Sequence, residues 1–154
     1  MRILLQRASE ASVSSHDHLI NSIKQGLVLL LGVDKEDTEE DAKYLVDKIL
    51  NLRVFPTNSS QFDRSILDIN GALLIVSQFT LSADIRKGRR PDFTSAAESS
   101  EAEILFNKTV SLFQKSGLVV KTGLFGHQMS VHIRNDGPVT IIMDSSTRFR
   151  ARRG

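Results

Sequence analysis

The sequence predicts a single-domain α/β fold, a mixed β-sheet layer with two main helices packed on it. Three observations lead there. Two apolar runs bounded by glycine, "GLVLLLGV" (26–33) and "GALLIVSQF" (71–79), read as buried strands. Two other stretches carry apolar residues at helical spacing behind capping-box patterns. Further short strands sit close enough in sequence to pair as hairpins, which favours a mixed sheet over a purely parallel one.

In chain order, "RILLQRA" reads as a strand. "ASVSS" and "HLINSI" read as two short strands around a polar turn at His16-Asp17, and "GLVLLLGV" follows. Thr38 is placed to cap a helix, with Asp41 three residues on. That helix carries Tyr44, Leu45, Ile49 and Leu52 and ends before Pro56. "SSQFDRS" is a polar loop, "GALLIVSQF" the second buried strand and "SADIRKGRRPDF" a long basic loop. Ser100 with Glu103 marks a second helix start, followed by Ile104, Leu105, Val110, Leu112 and Phe113 and a stop at Gly117. "LVVKT", "MSVHIR" and "VTIIMD" read as three strands. The last two flank "RNDGPVTI", where Asp136-Gly137 already suffices for a tight turn and Pro138 adds a fixed φ and a missing donor.

Bulk properties narrow the class. The 154 residues suggest one domain with a core of its own, and the absence of cysteine removes disulfides, thiolate catalysis and cysteine-based zinc sites. No apolar stretch reaches membrane-spanning length and the N-terminal segment does not fit a signal peptide. A soluble cytoplasmic protein with no membrane partner is the expectation. Net charge is only +2 but uneven: basic residues gather at 86–90 and 148–154, acidic ones at 34–41. Such runs are commonly solvated faces; the sharper reading is that the basic groups meet phosphates.

Candidate chemistry is sparse. His16 and His18 straddle a turn without a supporting ligand set, so no metal is expected. His132 falls on a strand surface, and His127 lies in a glycine-bounded loop. There is no Gly-x-Ser-x-Gly elbow, no phosphate-binding P-loop and no flavin or pyridoxal signature, so no cofactor is expected. Ser77, Gln78 and Thr80 gather polar groups at the end of an apolar strand, although Thr80 could equally satisfy a local turn.

Taken together, "QRASEASV", "GLVLLLGV", "KILNLRVF", "SQFTL", "KGRRPDF" followed by "AA", "TGLFGHQM" and "NDGPVT" resemble the D-aminoacyl-tRNA deacylases, in the family's order and over nearly the whole chain. The resemblance implies a barrel-like deacylase fold over residues 1–147, with 148–154 as a basic tail. It implies a homodimer acting on aminoacyl-tRNA: ester hydrolysis of D-aminoacyl-tRNA, and of glycine mischarged on tRNA-Ala. Gly137 and Pro138, joined by a cis peptide, would form a chiral filter lent to the partner's site. Ser77, Gln78, Phe79 and Thr80 would line the catalytic pocket, with backbone N–H groups of Phe79 and Thr80 holding the oxyanion and Thr80 lacking a base. Arg7 would hold the Gly-Pro loop, and Met129 would lie near the amino-acid pocket. His127 and Gln128 depart from the family's pattern, and the arginine-rich tail extends past its usual end. A non-catalytic nucleic-acid-binding protein is the alternative.

Overall fold

The structure, a computed structural model, describes residues 1–16 and 18–149. Six strands and two helices follow in the order β1 (Arg2–Ser15), β2 (His18–Ile23), β3 (Gly26–Gly32), α1 (Glu39–Asn51), β4 (Ala72–Ser77), α2 (Ser99–Gln114), β5 (Val120–Thr122) and β6 (Ser130–Asp144). A 3-10 helix, Phe79–Ser82, follows β4, and another, Ser145–Phe149, follows β6. The strands form one mixed, nearly closed, barrel-like sheet in the order β2-β1-β3-β4-β5, with β6 on the free side of β1. Pairing is antiparallel around β1, and parallel from β3 to β4 and β4 to β5. The expected tail falls mostly on residues 150–154, outside the described residues. Arg148 belongs to the last 3-10 helix and lies 3.0 Å from Asp41 Oδ1.

"RILLQRA" and "ASVSS", expected as separate strands, are one. β1 runs through both, pairing β3 along Arg2–Ala8 and β2 along Ala11–Ser15. An extra residue near Ser9, where Ala8 faces Asn135 but Glu10 faces Arg134, lets it do so. Such a bulge shifts the side-chain alternation by one residue. Ile3 and Leu5 therefore join the core under the helices, with Leu27, Leu29, Ile75, Leu45, Ile49 and Phe113. Ala11 and Val13 turn to the other face and pack with Ile23, Val28, Leu74 and Val76. Both faces of β3 and β4 are thus covered, which explains their unbroken apolar sequences.

"NDGP" is not a hairpin turn. The residues before and after it belong to a single strand, β6, and both pair with β1. Between Asn135, opposite Ala8, and Thr140, opposite Gln6, the chain makes a detour of four residues across from Arg7 alone. A period-two pattern broken by turn residues has the same appearance in sequence whether the chain reverses or bulges.

Thr38 caps α1 with Asp41 in a reciprocal box, as expected. Thr38 N–H and Oγ1 both donate to Asp41 Oδ2 at 2.9 Å. The second box does not form: α2 starts two residues earlier than the Ser100 pattern implies, with Glu98 at the cap. The Ala97 N–H is bonded to Val33 O at 3.0 Å, and this tie fixes where the chain can enter the helix. Burial pushes the Asp41 carboxyl upward, but hydrogen bonds from Thr38 and Ser145 and the Arg148 charge outweigh it, leaving the pKa below the ordinary value. Ionised Asp41 therefore favours the folded state. Its contribution is present above the unfolded pKa and is lost as pH falls through the folded one. Asp41→Ala should cost about 1–2 kcal/mol at pH 7, and the gap to wild type should narrow below pH ~4, as read from urea unfolding at pH 7 and pH 3.

Candidate active site

At Ser77 the chain leaves the sheet. Gln78 N–H still donates to Leu31 O at 2.8 Å, and the next residue opens the 3-10 helix. Gly32 permits this close passage, since a Cβ there would lie 2.9 Å from Gln78 O. The first N–H groups of a helix have no partner within it. Those of Phe79 and Thr80 donate to no acceptor among the described residues. The Thr80 hydroxyl accepts a hydrogen bond from Gln78 Nε2. The Phe79 ring is 59% exposed and meets Phe93 edge-on, centroids 5.0 Å apart.

Beside this strand end lies a cavity of about 590 Å³. Leu31, Val33, Val76, Phe106, Phe125 and Met129 give it apolar walls, while Ser77, Gln78, Ser99, His127 and Gln128 supply polar groups. Phe106 and Phe125 stack obliquely at 5.6 Å, joining α2 to the segment before β6. Met129 Sδ accepts the Leu124 N–H at 3.2 Å, and a Cβ on Gly123 would come within 2.7 Å of that sulfur. Phe106 was hidden from sequence reasoning because a helical aromatic looks like any other core residue.

Arg7, Gly137 and Pro138 form a separate cluster. Arg7 is only 4% exposed. Its Nη1 donates to Val54 O at 2.7 Å and its Nε to Asp136 O at 3.1 Å, with Asp136 Oδ2 at 3.2 Å. Gly137 has φ +123°, and a Cβ there would lie 2.9 Å from Arg7 Nη2, so the position suits glycine alone. The Gly137–Pro138 peptide is cis and both residues are exposed.

The sequence-derived site residues thus fall in two places. Ser77, Gln78, Phe79 and Met129 line the cavity, and Thr80 adjoins it. Arg7 pairs with Leu27 of β3, whereas the cavity begins at Leu31, about 13 Å further along the strand. One chain does not bring the two groups together.

In the basic loop, Arg86 is engaged: its Nε and Nη2 reach both Asp84 oxygens at 2.5–3.0 Å, and this pairing pulls the Asp84 pKa down to about 2. Lys87, Arg89 and Arg90 are exposed and make no ion pair among the described residues.

The chain thus offers a cavity at a strand end, two backbone donors without an acceptor among the described residues at its edge, and a loop with three exposed cations. Residues 4–144 match the model of the D-Tyr-tRNA(Tyr) deacylase family. A D-aminoacyl-tRNA deacylase of Clostridium botulinum (strain Alaska E43 / Type E3) is 50% identical over 97% of this chain and all of its own length. One of Clostridium perfringens (strain SM101 / Type A) is 48% identical with the same coverage. The solved structure of a c-Myc DNA Unwinding Element Binding Protein superposes with TM-score 0.88 at 40% identity, covering 94% of this chain and 98% of its own. A second, a probable eukaryotic D-amino acid tRNA deacylase, has TM-score 0.82 at 16% identity over 92% of this chain and 97% of its own, a likeness of fold. The chain belongs to the D-aminoacyl-tRNA deacylase family, and is thereby a hydrolase.

The Arg7 cluster has a direct thermodynamic test. Arg7→Met keeps the bulk of the side chain but leaves Val54 O and Asp136 O without their donor. The half-exposed Asp136 carboxylate returns to water and adds little. The expected loss is about 2–3 kcal/mol by urea unfolding, with faster amide exchange in residues 135–140 than elsewhere in β6.

Proposed function

We propose that this protein hydrolyses the ester between a D-amino acid and tRNA, and that of glycine mischarged on tRNA-Ala, acting in the cytoplasm as a homodimer whose subunits exchange Gly137–Pro138. The observation that carries the catalytic part is the pair of free N–H groups, Phe79 and Thr80, beside an apolar cavity. The ester carbonyl points at these donors. A water molecule, activated with help from the neighbouring ribose hydroxyl, attacks the carbonyl carbon and gives up a proton, a C–O bond forms, and the negative charge on the carbonyl oxygen is held by the two amides. Collapse breaks the ester C–O bond and the ribose oxygen leaves with a proton. One such donor is worth about 10²–10³ in kcat, enough to matter for an ester that is already reactive. The Thr80 hydroxyl faces an amide donor rather than a base, which argues against a covalent role.

Chirality needs a second element. Main-chain oxygens set where an L side chain would have to sit reject it by overlap, while a D side chain points away and hydrogen always fits. Specificity then comes from a clash. Gly137 and Pro138 are exposed and remote from their own chain's cavity, so a partner's copy must serve it. An apolar stripe on the sheet face turned away from the helices supports self-association: Ile142, 79% exposed, pairs with half-buried Leu4, which pairs in turn with half-buried Leu30.

The second reading, a nucleic-acid-binding protein without turnover, is favoured by the free cations Lys87, Arg89 and Arg90 and by the likeness to a c-Myc DNA Unwinding Element Binding Protein. Matched D- and L-aminoacyl-tRNA separate the two. The hydrolase should release the D-amino acid and glycine, leave L-aminoacyl-tRNA nearly untouched and sediment as a dimer at assay concentration; salt-sensitive binding without release would establish the second reading. Thr80→Ala should retain single-turnover deacylation within about tenfold, whereas loss of a covalent nucleophile would cost about 10⁴-fold or more. Replacing Lys87, Arg89 and Arg90 by Gln should weaken tRNA binding and flatten its log–log salt slope by about 2–3; an unchanged slope would remove the loop from the interface.

A further inference from the structure

The two backbone donors at the cavity edge belong to one short turn of 3-10 helix, Phe79–Ser82. Leu81 N–H bonds to Gln78 O at 3.2 Å and Ala83 N–H to Thr80 O at 3.1 Å. A turn this short does not hold its own direction, so its anchors decide where its N–H groups aim. Gln78 N–H ties its start to Leu31 O, and Ser82 O accepts the Ser95 hydroxyl at 2.9 Å. The remaining anchor is Arg2, whose Nη1 donates to Leu81 O at 2.9 Å. That carbonyl is one of the last of the turn, which have no partner within it. The sheet brings Arg2 there. It pairs with Gly32 of β3 on one side and Asp144 of β6 on the other, and residues directly opposite share a face of the sheet. Gly32 leaves that face bare: a Cβ on it would lie 3.1 Å from Leu81 Cβ. The turn thus crosses above Gly32, within reach of the arginine beside it. The other guanidinium nitrogens face carboxylates, Nη2 at 3.5 Å from Asp34 Oδ2 and Nε at 3.6 Å from Asp144 Oδ2. Asp144 is itself held, since its Oδ1 accepts the Ser146 N–H at 2.9 Å.

We propose that Arg2 is a positioning residue for the hydrolysis: its guanidinium, held between Asp34 and Asp144, fixes the 3-10 turn and thereby the aim of the Phe79 and Thr80 N–H groups. The inference rests on the deacylase reading above. The N–H groups of a helical turn lie roughly along its axis, so a tilt of this turn re-aims both donors together. Such donors act because they stand in place before charge develops on the oxygen, and a displacement of about 1 Å can cost about 10²-fold in rate. Arginine suits the position because its planar fork offers separate donors to Leu81 O and to the two carboxylates. A lysine ammonium can reach the carbonyl but is not braced on both sides at once. Arg2 is not among the residues that line the cavity, so its effect belongs to kcat and not to substrate binding.

The test compares wild type with Arg2→Met, Arg2→Lys and Asp144→Asn on one D-aminoacyl-tRNA, in single-turnover and steady-state deacylation, with amide exchange of residues 79–83 measured alongside. Arg2→Met should lower the single-turnover rate and kcat about ten- to hundredfold and leave KM within about twofold. Exchange at Leu81 and Ala83 should quicken while β4 stays protected. Arg2→Lys, which restores one donor, should recover part of the lost rate. Asp144→Asn keeps every donor of Arg2 but loosens its brace, and should lose about threefold in kcat. An Arg2→Met rate within about twofold of wild type, a loss confined to KM, or an Arg2→Lys no faster than Arg2→Met overturns the proposal. If Arg2→Met does not fold, Asp144→Asn decides, and an unchanged kcat there overturns it. If wild type releases no D-amino acid, the deacylase reading itself has failed, an outcome distinct from equal rates in wild type and variants.

Discussion

The architecture depends on one strand hydrogen-bonded along both edges. β1 carries β6 on one side and, on the other, β3 and then β2. A strand with two partners on one edge must change direction between them, and the bulge near Ser9 supplies the change. Its consequence is the split of the hydrophobic interior into a cluster under the helices and a second inside the curve of the sheet. Without the one-residue shift, Ala11 and Val13 would share the face of Ile3 and Leu5, and the inner cluster would lose its floor.

The same strand explains where the functional elements lie. Arg7 is the last residue of β1 before the change of face, and it fills the gap that the β6 detour leaves open. A buried guanidinium there satisfies two carbonyls that no strand partner reaches, Val54 O and Asp136 O. Arginine suits the position because its planar donors reach both at once, which a lysine ammonium on a flexible stem does less well. The detour is thereby held in one shape, with Gly137 and Pro138 outward. At the other end of β3, the parallel pairing with β4 sets Leu31 beside Ser77, the last pair of the ladder, and the cavity opens just past it.

Much of this was legible in the residues. The runs 26–33 and 71–79 could be read as buried strands because both faces of β3 and β4 are covered, and the Thr38–Asp41 box is local chemistry that context did not override. What the residues could not reveal was pairing. "RILLQRA" and "ASVSS" look like separate strands because the polar break at Ser9 and Glu10 is a bulge, and a bulge and a turn share a composition. "NDGP" looks like a reversal for the same reason. Ser77, Gln78, Phe79 and Met129 were legible as cavity residues through the family's motifs, not through periodicity. Phe106 was not, since only the approach of α2 to the Phe125 segment gives it a role.

The electrostatics of the site follow from its position between sheet and helix. Cavity walls made of sheet and helix side chains are apolar because those faces belong to the core, so charge can enter only from loops. Two loops do so differently. The loop after the first 3-10 helix ties one cation, Arg86, to Asp84 and leaves Lys87, Arg89 and Arg90 in solvent, where they act at long range and fade with salt. The turn before β6 brings one exposed imidazole, His127, to the polar side of the cavity. A polyanion would meet the first loop at long range, whatever the group it carries. The backbone donors of Phe79 and Thr80 are indifferent to pH. The apolar walls beside them bring no carboxylate or ammonium to the cavity lining among the described residues.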